Sequence, residues 1–172
     1  MASGDTLFIF LPEDNIPPAT AYATYDTFAA TTGVRSVLDF AGDTGSGDET
    51  AIFAGSWPSH YGDGGVNVVA WYSTDGTSTS AIQLEVSAEV MQDLDLTDTG
   101  AGQDFGTLTD IADTPGAGGV NALNKTAAGS ISHANCGSPN PGDLARFKVT
   151  RDFDHATNTD DLQLHAIVVT EQ

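Results

Sequence analysis

Ala81-Ile82-Gln83-Leu84-Glu85-Val86-Ser87-Ala88-Glu89-Val90 alternates apolar and polar residues without a break. Ile82, Leu84, Val86, Ala88 and Val90 fall on one side, and Gln83, Glu85, Ser87 and Glu89 on the other. A period of two puts successive side chains on opposite faces of an extended backbone, so this stretch is a strand with one buried and one wetted face. Sheets that keep one face in water are characteristically antiparallel.

The theme recurs in both directions from this strand. Upstream, short runs with strand character cover residues 7–11, 22–28, 34–40, 51–54 and 66–72, separated by Gly, Pro and Asp-Thr-Ser clusters. Downstream they cover 105–111, 120–126, 130–133, 144–150 and 162–170. In 144–150, Leu144 and Arg146 oppose Ala145, Phe147 and Val149; in 162–170, the pattern puts Leu162, Leu164, Ala166 and Val168 on one side. Helix formers such as Leu, Lys, Glu and Arg are scarce, whereas Thr, Val and Gly are common. Roughly eight to ten antiparallel strands with long connections at 41–50 and 93–119 pack as a sandwich of Greek-key, jelly-roll-like type. The expected organisation is an extended N-terminal arm with the first strand over residues 1–20, then one β-sandwich domain over 21–172.

Charge narrows the function. Five Lys plus Arg stand against 24 Asp plus Glu, a net charge of −19 over 172 residues. Such a surface repels nucleic acid and anionic membranes and resists non-specific association. The one cysteine, Cys136, has no partner for an intrachain disulfide, and its loop Asn135-Cys136-Gly137-Ser138-Pro139 marks it as an incidental thiol. Met1-Ala2-Ser3-Gly4-Asp5 lacks the basic segment and cleavage site of a signal peptide. The apolar run 7–11 is too short to cross a bilayer. The expectation is a soluble protein made in the cytoplasm.

Candidate chemistry is thin. Asp-Thr-Gly occurs at Asp43-Thr44-Gly45 and Asp98-Thr99-Gly100, but Gly42 and Thr97 precede the aspartates where a protease dyad needs a buried apolar strand. Asp152-Phe153-Asp154 with Asn158, Asp160 and Asp161 gathers hard oxygen donors suited to Ca²⁺, yet Ala156 interrupts the ligand spacing, and a solvated acidic turn is the plainer account. His60, His133, His155 and His165 share no metal-ligand spacing. Trp57-Pro58-Ser59-His60-Tyr61 beside Gly62, Gly64 and Gly65 offers aromatics that could stack a sugar, although core packing suits Trp57 better. One residue of the pair Trp71 and Tyr72 should be core. No catalytic residue, cofactor site or metal site is expected, and the chain is read as a non-enzyme.

Two features suit a protein partner. Arg146, Lys148 and Arg151 carry three of the five positive charges, and attract either acidic partners or the chain's own aspartates. The apolar arm Leu7, Phe8, Ile9, Phe10 and Leu11 could add a strand to a neighbour.

A set of short motifs adds a family resemblance. In order they are Gly4-Asp5-Thr6-Leu7 through Leu11-Pro12-Glu13-Asp14-Asn15 with Pro17-Pro18; Ala23-Thr24-Tyr25-Asp26-Thr27; Val37-Leu38-Asp39-Phe40; Ala51-Ile52-Phe53-Ala54-Gly55 with Pro58 and Tyr61; Gly64-Gly65-Val66 leading to Trp71; and Gly142-Asp143-Leu144 through Phe147-Lys148-Val149-Thr150-Arg151-Asp152. This order resembles small, acidic, single-domain virion proteins of tailed bacteriophages and prophages. The resemblance implies a capsid decoration (cement) protein: a homotrimer on the outside of the head, bound to the major capsid protein and stabilising the shell. The alternative is a virion fibre, spike or tail component that binds host carbohydrate.

Overall fold

The computed structural model describes residues 4–30, 33–42, 47–93, 105–116 and 118–172. Both Asp-Thr-Gly copies, at 43–45 and 98–100, lie outside the described residues. The described strands are β1 (Thr6–Phe10), β2 (Thr24–Ala30), β3 (Gly33–Phe40), β4 (Thr50–Ser56), β5 (Val66–Thr74), β6 (Ile82–Met91), β7 (Thr109–Asp113), β8 (Asn124–Lys125), β9 (Gly129–Ile131), β10 (Leu144–Arg151) and β11 (Leu162–Glu171). A 3-10 turn, Pro12–Asp14, follows β1, the one helical turn among the described residues. Among the described residues no helix is long and apolar enough to cross a membrane.

The strands form two antiparallel sheets. One runs β2-β3-β11-β5-β8, with β1 also on β11 and β9 also on β5; the other runs β4-β10-β6-β7. The connections make the roll. β11 lies between β3 and β5 in the first sheet, while β10 lies between β4 and β6 in the second. The chain therefore crosses from sheet to sheet at β3–β4, β4–β5, β5–β6, β7–β8, β9–β10 and β10–β11. This is an all-β sandwich of jelly-roll type, as the alternation of β6 requires.

Register follows hydrophobicity. In β6, Ile82, Leu84, Val86 and Ala88 are buried in the core, and β10 lays Ala145, Phe147 and Val149 opposite Val90, Ala88 and Val86. β11 departs from the simple alternation expected for it. Leu162 and Leu164 are buried, but the pairing with β5 shifts between Leu164 and Ala166. The shift is a β-bulge, which inserts one residue and reverses the facing of everything after it. Ile167 and Val169 therefore enter the core in place of Ala166 and Val168.

The N-terminal arm is part of the molecule's own sheet. Phe8, Ile9 and Phe10 pair with Val169, Val168 and Ile167 of β11. The Gly4 N–H donates to the Glu171 carbonyl at 2.8 Å, so the first and last described strands lie side by side. Phe8 and Phe10 face inward and meet Phe53, Trp57 and Phe147 at ring-centroid distances of 5.3–5.7 Å. Trp57 and Tyr72 are both buried, whereas Trp71 lies half-buried on the outer face with the Lys125 ammonium 5.6 Å from its ring. Gly65, at φ +85°, turns the chain into β5 where a side chain would meet the Ile131 carbonyl at 2.6 Å.

The acidic composition leaves a mark on β3. Asp39 faces outward between the core residues Leu38 and Phe40, and its Oδ1 is buried without a hydrogen-bond partner. Burial, reinforced by Asp161, Asp75, Asp26 and Glu49, pushes its carboxyl up to about 6. The folded state thus holds this proton more tightly than the unfolded chain. Its contribution favours folding below the unfolded value near 4 and is lost as pH rises toward 6. A shift of about two units corresponds to about 3 kcal/mol, which partial exposure reduces to about 1–2 kcal/mol. Asp39→Asn is accordingly expected to raise stability at pH 7 by about 1 kcal/mol and to leave it unchanged near pH 4. Urea midpoints of both proteins at the two pH values check this; an Asn variant less stable at neutral pH would refute it.

Candidate binding groove

The segment from Pro12 to Tyr25 joins β1 to β2 and builds a groove of about 480 Å³. Pro12 opens the 3-10 turn, where a fixed φ suits the first position. Asp14 closes the turn by accepting the Leu11 N–H at 2.9 Å. Asn15 then fastens it to the edge of β4: its Oδ1 accepts the Ile52 N–H at 3.0 Å, and the Ile16 N–H donates to the Ile52 carbonyl at 2.7 Å. Ala21 and Ala23 bracket Thr50 with two backbone hydrogen bonds of 2.9 and 3.0 Å. These ties cover an edge strand that would otherwise be open.

The groove presents two exposed aromatics. Ala21 sits at φ +52°, in the left-handed region that costs a side-chain-bearing residue of order 1 kcal/mol or more. It stands immediately before Tyr22, which is 48% exposed. Tyr25, on the edge strand β2, is 51% exposed. Buried Ala23, with Pro12, Glu13, Asn15, Pro17 and Thr24, completes the lining. The Glu13 carboxylate accepts a hydrogen bond from the Ser36 hydroxyl. The Ser36 bond holds its carboxyl below the usual range, so it is ionised at neutral pH.

The residues singled out from sequence are distributed elsewhere. Trp57 and Tyr61 are core residues, as the sequence favoured for Trp57 over a sugar platform, with tilted rings 4.6 Å apart that offer no surface to a ligand. Of the arm, Phe8 and Phe10 are buried and Leu7 half-buried, which corrects their assignment as partner contacts: β1 spends its inward face on its own core. Ile9 and Leu11 remain exposed. Arg146 and Lys148 share the outer face of the second sheet. Arg146 pairs with Glu89 at 2.9 Å, and the Phe105 ring lies 5.0 and 5.1 Å from the two cationic groups.

Arg151 is the second correction. It is fully buried and cannot meet a partner. Its guanidinium donates to the carbonyls of Phe40, Ala41, Asn158 and Asp160 at 2.8–3.2 Å and stacks 4.5 Å from the Phe153 ring. The parity of β10 carries the signal: residues 145, 147, 149 and 151 share the core face.

The acidic loop before β11 spends its oxygens on its own backbone. Asp152 accepts the His155 N–H at 3.2 Å and contacts its ring Nδ1 at 2.5 Å. Asp160 accepts the Ser78 N–H at 2.8 Å, Asp161 accepts the Gly42 N–H, and Asn158 accepts the Asp160 N–H at 2.9 Å. Among the described residues no group of three or more His, Cys, Asp or Glu is placed to hold a metal ion. Burial pushes the Cys136 thiol up to about 12, so it is protonated and inert at neutral pH.

Comparison with known proteins extends the fold but not the sequence. No protein-family model and no curated protein matches this chain. The fold has neighbours among solved structures. The isomalto-dextranase of Arthrobacter globiformis T6, complexed with panose, is similar over 90% of this chain at TM-score 0.52 and 13% identity. The chain spans only 22% of that enzyme's length. The mannan-recognising carbohydrate-binding module TmCBM27 aligns over 99% of both chains at TM-score 0.49 and 10% identity. The C-terminal CBM6 of the laminarinase LamC from Zobellia galactanivorans aligns over 95% of this chain and 98% of its own, at 0.45 and 10%. At these identities the likeness is one of fold.

Proposed function

We propose that the protein is a non-catalytic β-sandwich that binds carbohydrate in the groove between the 3-10 turn and β2. The observation that carries this reading is the pair Tyr22 and Tyr25, held half-exposed in the groove that Asn15 and Glu13 also line. Aromatic faces accept the C–H faces of sugar rings, and a few polar groups at the rim fix orientation. The volume falls within the range of small-ligand sites. A fold neighbour solved with panose adds support at the level of fold analogy.

The setting we propose is the virion: a fibre, spike or tail component that attaches to host carbohydrate, following the resemblance to phage proteins. Capsid decoration, which the same resemblance implies, has less support, because several residues expected to contact a partner are used inside the molecule. The arm is a strand of its own sheet, Arg151 is buried, and Arg146 pairs with Glu89.

Glycan-array screening of the intact chain, followed by calorimetry on the hits, tests the reading. Tyr22→Ala and Tyr25→Ala are each expected to weaken binding about tenfold or more, with the fold retained because both residues are about half-exposed and lie outside the core. Binding that survives both substitutions moves the site elsewhere. Stoichiometric binding to expanded phage heads, with no glycan bound, restores the decoration reading.

A further inference from the structure

We infer that the groove discriminates by charge, preferring sugars that carry a free amino group and rejecting acidic ones; this rests on the carbohydrate reading above. The inference begins with what lines the groove. Its one ionisable wall residue of fixed charge is Glu13, and no Lys, Arg or His is among the lining residues. A carboxylate offers about four acceptor positions. Ser36 occupies one on Glu13, whose side chain is exposed, which leaves room for a ligand's donors.

The protein's cations are committed elsewhere. Lys125 sits over Trp71, Arg146 and Lys148 over Phe105, and Arg151 inside the sandwich. Arg35 is exposed on β3 but shares the face of Val37 and Asp39, opposite to the face of Ser36 that meets Glu13. Nothing in the groove therefore offsets a uronate, sulfate or sialyl carboxylate. Such a ligand also approaches a molecule of net charge −19. A neutral sugar meets no such barrier. An ammonium group gains a charge-assisted hydrogen bond to Glu13 and is steered toward it by the same field.

The test is calorimetry with three oligosaccharides of equal length: glucosamine, N-acetylglucosamine and galacturonate. The expected result is about tenfold tighter binding of the glucosamine oligomer than of its acetylated counterpart at low salt, shrinking as the Debye length falls at about 0.5 M. Galacturonate should not bind. Glu13→Gln should bring the two amino-sugar oligomers to parity. Asp154→Asn removes the same unit of charge from an exposed loop outside the groove, and should preserve the preference. Tyr25→Ala should weaken all ligands alike.

A preference that persists in Glu13→Gln, or that falls equally in Asp154→Asn, shows attraction by bulk charge and overturns the inference. Equal affinity for the acetylated and free amines, or for galacturonate, overturns it too, and leaves carbohydrate binding intact. Failure of every oligosaccharide to bind removes both readings.

Discussion

Arg151→Met is expected to destabilise the protein by about 3–5 kcal/mol, a large share of the 5–15 kcal/mol available to a domain of this kind. The reason is the number of acceptors a single guanidinium serves. Four carbonyls, from Phe40, Ala41, Asn158 and Asp160, converge on it, so its removal orphans buried acceptors at the end of β3 and in the loop leading to β11. Each such orphan costs about 1–3 kcal/mol unless water reaches it. Its own burial lowers the guanidinium pKa, while Asp161 and Glu49 nearby oppose that shift, so it stays charged. Arg151→Lys keeps the charge but lacks the planar fork, and is expected to recover only part of the loss. Denaturant midpoints of the three proteins measure the effect. A Met variant within 1 kcal/mol of the parent would show that water replaces the guanidinium at little cost.

Phe147→Ala is expected to be as damaging, at about 3–5 kcal/mol. Phe147 is the point where the two sheets meet. From β10 it reaches Phe8 at 5.4 Å, Phe10 at 5.7 Å and Trp57 at 6.0 Å, which joins the arm to the second sheet through one aromatic cluster. Truncation removes ring contacts on three sides and leaves a cavity that rigid neighbours cannot close. Phe147→Leu, closer in volume, should lose on the order of 1 kcal/mol. The pattern to look for in thermal melts is a graded loss, Leu then Ala. A Leu variant as unstable as the Ala variant would mean that ring geometry, not volume, holds the cluster.

These two residues also explain what sequence could and could not reveal. The alternation in 81–90 and 144–150 was sufficient for the sandwich, because core facing there depends on a period of two and nothing else. The same parity, carried one step past residue 149, points Arg151 into the interior; a basic side chain disguised the pattern. The bulge in β11 is different. No residue at 165–166 announces it, and it arises because β11 must pair with β5 along its whole length while its other edge passes from β3 to β1. The groove escaped for a related reason. Tryptophan beside glycines drew attention to 57–61, where core packing was the better account and is what the fold shows. Tyr25 stays half in water on β2, an edge strand, and Tyr22 in the connection just before it, a fact of topology that no local pattern encodes.

The adjacency of Gly4 and Glu171 has a consequence for how the groove is displayed. Two strands that run side by side bring both described ends of the chain to one pole, within a single hydrogen bond of each other. β1 then carries the chain about 17 Å along the sheet before Pro12 enters the groove. A tether at either end, or a splice of the described domain into a loop of another protein, would set the Pro12 entrance to the groove about one strand length from the anchorage. The same closeness permits circular permutation through a short linker, with new ends cut in an exposed loop distant from the groove.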